Sequence, residues 1–344
     1  MPRLITGLDL GSSNIRAAAA TSDERGNVKL LALENVPSGG VGYGNITDFH
    51  AACADIDEVI GRIERKIKAR IRRVSITVNG PSVRAVEASG MIGLSKKPRS
   101  ISRKDIDRCV NVASMISIPE DHQIVQKIVR GFYINEAEKV SNPLELYATK
   151  LTAKLYVIIA ESAGIKSLTR CIESAGHILD GIVFSGTAIS EALSYGNDED
   201  VRPLILDIGS HLTGITLTDG KDITFFESLS VGAKDIAGEG ARGAYFGKIR
   251  DAVGDRPFTG ISVTGGGVFV DNLLENMESF FGVKARPGRV RLKWCNLAPS
   301  ESMMHINSLG LIAREARRYA SGKTAPNPLV RAARSLGALI EDYF

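Results

Sequence analysis

Gly7-Leu8-Asp9-Leu10-Gly11-Ser12-Ser13-Asn14 and Leu206-Asp207-Ile208-Gly209-Ser210-His211-Leu212-Thr213 are two Gly- and Ser-bearing turns, each directly after an apolar strand-like run. A turn of this kind exposes backbone N–H groups that can cradle phosphate oxygens, and a strand-end carboxylate, Asp9 or Asp207, can hold a hydrated Mg²⁺ beside them. One such turn is ordinary hairpin chemistry. Two, one in each half of the chain, predict a duplicated α/β fold closed around a phosphate.

The flanks repeat the same order. Leu4 to Leu10, Ile15 to Ala20 and Val28 to Val36 read as three strands beginning with a hairpin, and Leu204 to Asp207, Gly214 to Thr218 and Ile223 to Leu229 repeat them. Asp55 to Arg73 sets Ile56, Ile60, Ile63, Ile67 and Ile71 on one helical face, with basic residues on the rest of the surface. Those cations read as a solvated helix face. A strand over Ile261 to Thr264 runs into Gly265-Gly266-Gly267, a third Gly turn expected to open a helix over Val268 to Phe280, where unhindered backbone can face a nucleotide.

Residues 80 to about 160 break this pattern with strand-like stretches at Val83 to Ile92 and Gln126 to Ile134. Between them, Ser102-Arg103-Lys104-Asp105 has capping-box spacing ahead of a helix. The segment reads as a small α+β insert. Leu151 to Ala160 is again a strand, Ser162 to Ala175 an amphipathic helix stopped by Gly176, and Ser308 to Tyr319 a further helix. After a Pro- and Gly-punctuated linker, Leu329, Ala333, Leu336, Ile340 and Tyr343 form the apolar face of a tethered helix.

With 344 residues and 44% hydrophobic content, the chain can build two domains. A net charge of +4 selects no nucleic-acid partner. Its 4 cysteines lack C-x-x-C spacing, so neither a disulfide framework nor a zinc site is expected. No charged leader with an apolar core opens the sequence, and no apolar run is long enough to span a bilayer. The expected setting is cytoplasmic.

The three Gly turns resemble the phosphate-1, phosphate-2 and adenosine motifs of the actin/Hsp70/sugar-kinase superfamily. Within it, the insert resembles that of the bacterial cell-division family FtsA, through Ser89-Gly90-Met91-Ile92-Gly93-Leu94, Ile101-Ser102-Arg103-Lys104-Asp105-Ile106, Ser117-Ile118-Pro119-Glu120-Asp121, Asn142-Pro143-Leu144, Cys171-Ile172-Glu173-Ser174-Ala175-Gly176 and Gly181-Ile182-Val183. The resemblance implies an actin-like, duplicated RNase H-type fold with an FtsA-type 1C (SHS2) insert and a C-terminal amphipathic helix. Residues 1–79 would be the first part of subdomain 1A, 80–160 the insert, 161–199 the return into 1A, and 200–321 subdomain 2A, with a vestigial 2B at 233–258. Residues 322–328 would be a linker and 329–344 a membrane-targeting helix.

The implied ligands are ATP and Mg²⁺. Nucleotide would lie against Asp9, Gly11, Ser12, Ser13, Asn14, Asp207, Gly209, Ser210, Thr213, Gly265, Gly266 and Gly267, with Mg²⁺ held through water by Asp9 and Asp207. Leu329, Val330, Ala333, Leu336, Ile340 and Phe344 would touch the inner face of the cell membrane. Self-association into filaments and the FtsZ C-terminal peptide are the partners the family implies, and that peptide docks on 2B, for which only a short bridge stands here.

The acidic residue that begins the connecting helix in many relatives corresponds to Ser185, so no catalytic residue is assigned and turnover is expected to be slow or absent. Glu191 lies too far along that helix to replace it, and His211 reads as a loop residue beside the second turn. The alternatives are a nucleotide-free actin-like adaptor of a pilus-type assembly and an active ATPase or kinase of the same superfamily.

Overall fold

The computed structural model describes residues 2–193, 202–219, 222–236 and 239–322. The first half begins with an antiparallel meander of β1 (Arg3–Leu10), β2 (Asn14–Ser22) and β3 (Val28–Pro37). A ribbon of β4 (Val41–Gly42) and β5 (Asn45–Ile46) leads to α1 (Phe49–Ile67) and β6 (Arg73–Val78). The insert comprises β7 (Arg84–Gly93), β8 (Arg99–Ser100), α2 (Arg103–Ala113), β9 (His122–Ile134), β10 (Glu138–Val140), β11 (Tyr147–Ala148) and β12 (Lys150–Glu161). The chain returns through α3 (Ser162–Ser174), β13 (Ile178–Phe184) and α4 (Ser185–Leu193).

The second half contains β14 (Pro203–Ile208), β15 (Thr213–Asp219), β16 (Asp222–Leu229), α5 (Glu239–Val253), β17 (Gly260–Thr264), α6 (Leu273–Phe281), β18 (Ala285–Pro287), α7 (Pro299–Met304) and α8 (Ile306–Ala320). Its sheet order, β16-β15-β14-β17-β18, reproduces β3-β2-β1-β6-β13 of the first half strand for strand. In each, a meander is followed by two strands added in parallel. The duplication expected from the paired turns is therefore present in the topology.

Helix α1 shows how sequence sets the packing. Ile56, Val59, Ile60 and Ile63 are fully buried against the first sheet, each contributing roughly 1.5–3 kcal/mol relative to an exposed position. The helix begins earlier than its isoleucine pattern suggests, because the Asp48 side chain accepts from Ala51 N and caps it. It also ends earlier. Lys68 turns left-handed at φ 53°, so buried Ile71 belongs to the approach to β6. Helix α5 crosses from β16 to β17 as α1 crosses from β3 to β6, and it fills most of the segment where the sequence suggested only a bridge.

The insert is a four-stranded sheet, β10-β9-β12-β7, with α2 packed on one face around Cys109, Leu151 and Leu155. Ser102 and Asp105 form the full capping box, and Arg99 pairs with Asp105 through two hydrogen bonds of 2.8 Å. Such a cap stabilises a helix by about 1 kcal/mol. The insert also reaches the second half: the Tyr156 hydroxyl donates to Thr224 O on β16, and Lys139 pairs with Asp222 at 3.6 Å. These contacts cover part of a sheet edge that would otherwise stand open.

Helices α4 and α8 cross where the halves join. A Cβ at Gly310 would lie 1.9 Å from Ala188 O, so only glycine permits this approach. The cysteines are free thiols, although Cys53 Sγ and Cys171 Sγ lie 3.2 Å apart between α1 and α3, a proximity no sequence spacing announces. No helix among the described residues is long and apolar enough to cross a membrane. The tethered helix over 329–344, with Leu329, Val330, Ala333, Leu336, Ile340 and Phe344, lies outside the described residues.

Candidate functional site: a cleft between duplicated carboxylates

The two quoted turns face one another across a cleft of about 410 Å³. Asp9 stands at the end of β1 and Asp207 near the end of β14, each beside a threonine from the parallel neighbour strand. Thr77 on β6 donates to Asp9 Oδ1 at 3.1 Å, and Thr264 on β17 donates to Asp207 Oδ1 at 3.2 Å. The duplication thus extends to a single hydrogen bond. Asn307, at the start of α8, donates through Nδ2 to Asp207 Oδ2 at 3.3 Å and lines the same cleft as Asp9.

Both carboxylates are electrically strained. Burial pushes Asp207 up to about 6 and the neighbouring Asp9 adds to the shift, while Asn307, Thr264 and Arg16 oppose it. Burial raises Asp9 as well, against the Arg16 charge, the hydrogen bond from Thr77 and the Asn307 amide. Two largely desolvated acids in one cleft lack sufficient positive charge. That surplus fits a hydrated divalent cation held through water, with Asp9 and Asp207 as its acceptors.

Asp9, Gly11, Ser12, Ser13 and Asn14 line the cleft from the first turn, as do Asp207, Gly209 and Ser210 from the second and Gly265 and Gly266 from the third. Two candidates are elsewhere. Thr213 is fully buried behind its strand, its hydroxyl bonded to Val231 O at 2.8 Å and the Tyr245 hydroxyl at 2.7 Å. Gly267 packs on Ile208, where an added Cβ would come within 2.3 Å of Ile208 Cγ2, so its small size serves packing.

The third turn also differs in its exit. Gly265 at φ 78° leads into a short 3₁₀ turn over Gly266–Phe269, and α6 starts only after Asn272 at φ 54°, so no long helix leaves the turn directly. Gly266 borders open space.

The second loop is tied down by its own chain. Ala233 N donates to Gly209 O and Lys234 N to Ser210 O. His211 bonds Ser210 Oγ at 3.0 Å and Lys234 Nζ at 3.3 Å, while its ring meets Tyr43 of the first half at a centroid distance of 5.2 Å. Ser185 borders the cleft at the start of α4. Glu191 is engaged with Arg317 at 2.5 Å and does not line the cleft.

Arg16, Thr77, Asn79, Lys234 and Asn307 line the cleft and escaped the sequence reading. Arg16 had a signal: it is the one charged residue on β2, in register with Asp9, ahead of four fully buried alanines. The others arrive from separate elements and carried none.

Two duplicated sheets, a close crossing of α4 and α8 and a cleft lined by paired turns define an actin-type fold. The chain is similar to MreB5 of Spiroplasma citri bound to ADP, with a TM-score of 0.50 at 12% identity over 94% of this chain and 99% of that one. It is also similar to a chain of a PilM–PilN type IV pilus biogenesis complex, with a TM-score of 0.60 at 17% identity over 92% and 98%.

Within this class, residues 80–159 match the family described as the SHS2 domain inserted in FtsA. The chain is 27% identical to the cell division protein FtsA of Borreliella burgdorferi over 214 residues, 62% of this chain and 52% of the relative. The chain thus has a segment matching the FtsA SHS2 domain set in an actin-type frame, and it is similar to FtsA proteins. It spans about half the length of the curated relatives it matches.

Proposed function

We propose that the protein is an FtsA-type scaffold of bacterial cell division that binds ATP with Mg²⁺ in the cleft, assembles into filaments and attaches peripherally to the inner face of the cell membrane. The observation that carries this reading is the SHS2 match at 80–159, inserted between β6 and α3 of an actin-type first half whose cleft carboxylates remain in place. Asp9 and Asp207 would orient the cation's water, and the first and third turns would face the phosphates and the nucleoside. Ser185 offers a hydroxyl where a water-activating carboxylate would be needed, so hydrolysis is slow or absent.

Residues 329–344 would lie in the membrane interface. One such helix with Glu341 and Asp342 near its end binds weakly, and several on one filament bind far more tightly through effective concentration. This couples assembly to attachment and anchors the FtsZ ring, FtsZ being the partner that the similarity to FtsA brings. A nucleotide-free adaptor of the pilus kind is favoured by one observation, the Tyr43 ring of the β4–β5 ribbon resting on His211 of the second turn.

Equilibrium dialysis with Mg²⁺ and ATP separates the two readings. Saturable binding lost in Asp9→Asn supports the scaffold with a nucleotide, and no binding to either protein refutes it. Anionic-vesicle co-sedimentation tests the second element: truncation after Lys323 is expected to abolish pelleting, and unchanged pelleting would remove the membrane-targeting role.

A further inference from the structure

Asn307 donates through Nδ2 to Asp207 Oδ2 of the second half at 3.3 Å and shares the cleft with Asp9 of the first. It is only 7% exposed, and its Oδ1 is buried with no hydrogen-bond partner. A buried acceptor without a donor costs roughly 1–3 kcal/mol. The orientation is therefore set by the NH₂ group, which meets Asp207 and eases the charge of both acids. Thr77 and Thr264 each serve one acid, and Arg16 adds a fixed charge felt by both.

We propose that Asn307 is a positioning residue whose amide NH₂ holds Asp9 and Asp207 together when no cation is bound and turns over to admit a divalent cation. The inference rests on the reading of the cleft as a Mg²⁺–nucleotide site. The terminal torsion of asparagine is broad and roughly two-fold, so exchanging oxygen and nitrogen preserves the side chain's shape. Turned over, Oδ1 would face the carboxylates and accept a hydrogen bond from cation-bound water. The donors that had competed with the cation for Asp9 and Asp207 then point away. Asn307 thus lowers the cost of two adjacent acids in the empty cleft and weakens cation binding in doing so.

The test uses the full chain without nucleotide and follows free Mn²⁺ by electron paramagnetic resonance, in wild type, Asn307→Asp, Asn307→Thr and Asp9→Asn. Asn307→Asp removes the competing donors and adds a carboxylate, so Mn²⁺ is expected to bind roughly tenfold tighter or more, each factor of ten being about 1.4 kcal/mol. Its thermal midpoint without metal should fall, and its rise on adding Mg²⁺ should exceed that of wild type. Asn307→Thr, neutral and too short to reach both acids, is expected to bind several-fold tighter, and it keeps the test decisive where the added charge of Asp prevents folding.

Equal Mn²⁺ affinity in wild type and the Asn307 variants, with binding lost in Asp9→Asn, overturns the role of Asn307 and leaves the cleft reading standing. Absence of Mn²⁺ binding from all four proteins overturns both.

Discussion

Removing the charge at Asp207 should stabilise the ion-free protein while abolishing the ligand site. The carboxyl of Asp207 is pushed up to about 6 by burial and by Asp9, from 3.8 in an unconstrained chain. A shift of that size corresponds to about 3 kcal/mol at pH 7, and water reaching the carboxylate through the cleft trims it to about 2–3 kcal/mol. The raised folded-state value fixes the sign. The folded form binds the proton more tightly than the unfolded one, so this contribution favours folding below about pH 4 and is lost as pH rises through 6.

Asp207→Asn keeps an oxygen for the Thr264 hydroxyl and turns its own NH₂ toward Asn307, whose unpartnered Oδ1 can rotate to accept it. The variant should therefore gain about 2–3 kcal/mol at pH 7, roughly half of that at pH 5, and nothing below pH 4. Urea unfolding in chelator across this pH series measures the gain. A loss of stability at pH 7, or a gain independent of pH, would refute the account of the cleft as a pair of uncompensated acids.

Two further outcomes follow from the helix crossing and from the cleft wall. Gly310→Ala places a methyl 1.9 Å from Ala188 O, so α4 and α8 must separate; a loss of about 1–3 kcal/mol is expected by denaturant unfolding, and a neutral result would contradict the close crossing. Ser185→Glu introduces a carboxylate at the cleft wall, and ATP turnover followed by phosphate release is expected to rise by about 10²-fold if a missing base limits it. Unchanged turnover with nucleotide still bound would show that the slow step lies elsewhere.

The duplication was legible because it was written locally. A strand, a Gly-bearing turn and a strand leave the same apolar and small-residue pattern around Asp9 and Asp207, and a meander followed by a crossover is the natural way to bury both. The capping box at Ser102 and Asp105 was legible for the same reason, two residues at a fixed spacing carrying their own geometry. The limits of α1 were not, since its start depends on Asp48 and a run of small residues, and its end on a left-handed Lys68 that periodicity cannot register. Thr213 and Gly267 show the opposite error: both stand in the right turns, yet alternation along β15 and packing against Ile208 point them into the core.

The residues that complete the cleft are separated for a physical reason. Within each half, Asp9 meets Thr77 and Asp207 meets Thr264 through parallel pairing of strands distant in sequence, so each bond is visible only once the sheet order is known. The two halves then bring two acids together, a juxtaposition neither motif contains. Arg16 and Asn307 answer the repulsion that results: Arg16 comes from the strand beside Asp9, and Asn307 from the helix that joins the halves. The cleft therefore depends on closure of the two halves as much as on the turns. A change that loosens the crossing of α4 and α8 should weaken cation binding even when Asp9 and Asp207 are untouched, which makes Mn²⁺ affinity in Gly310→Ala a direct reading of the coupling between crossing and site.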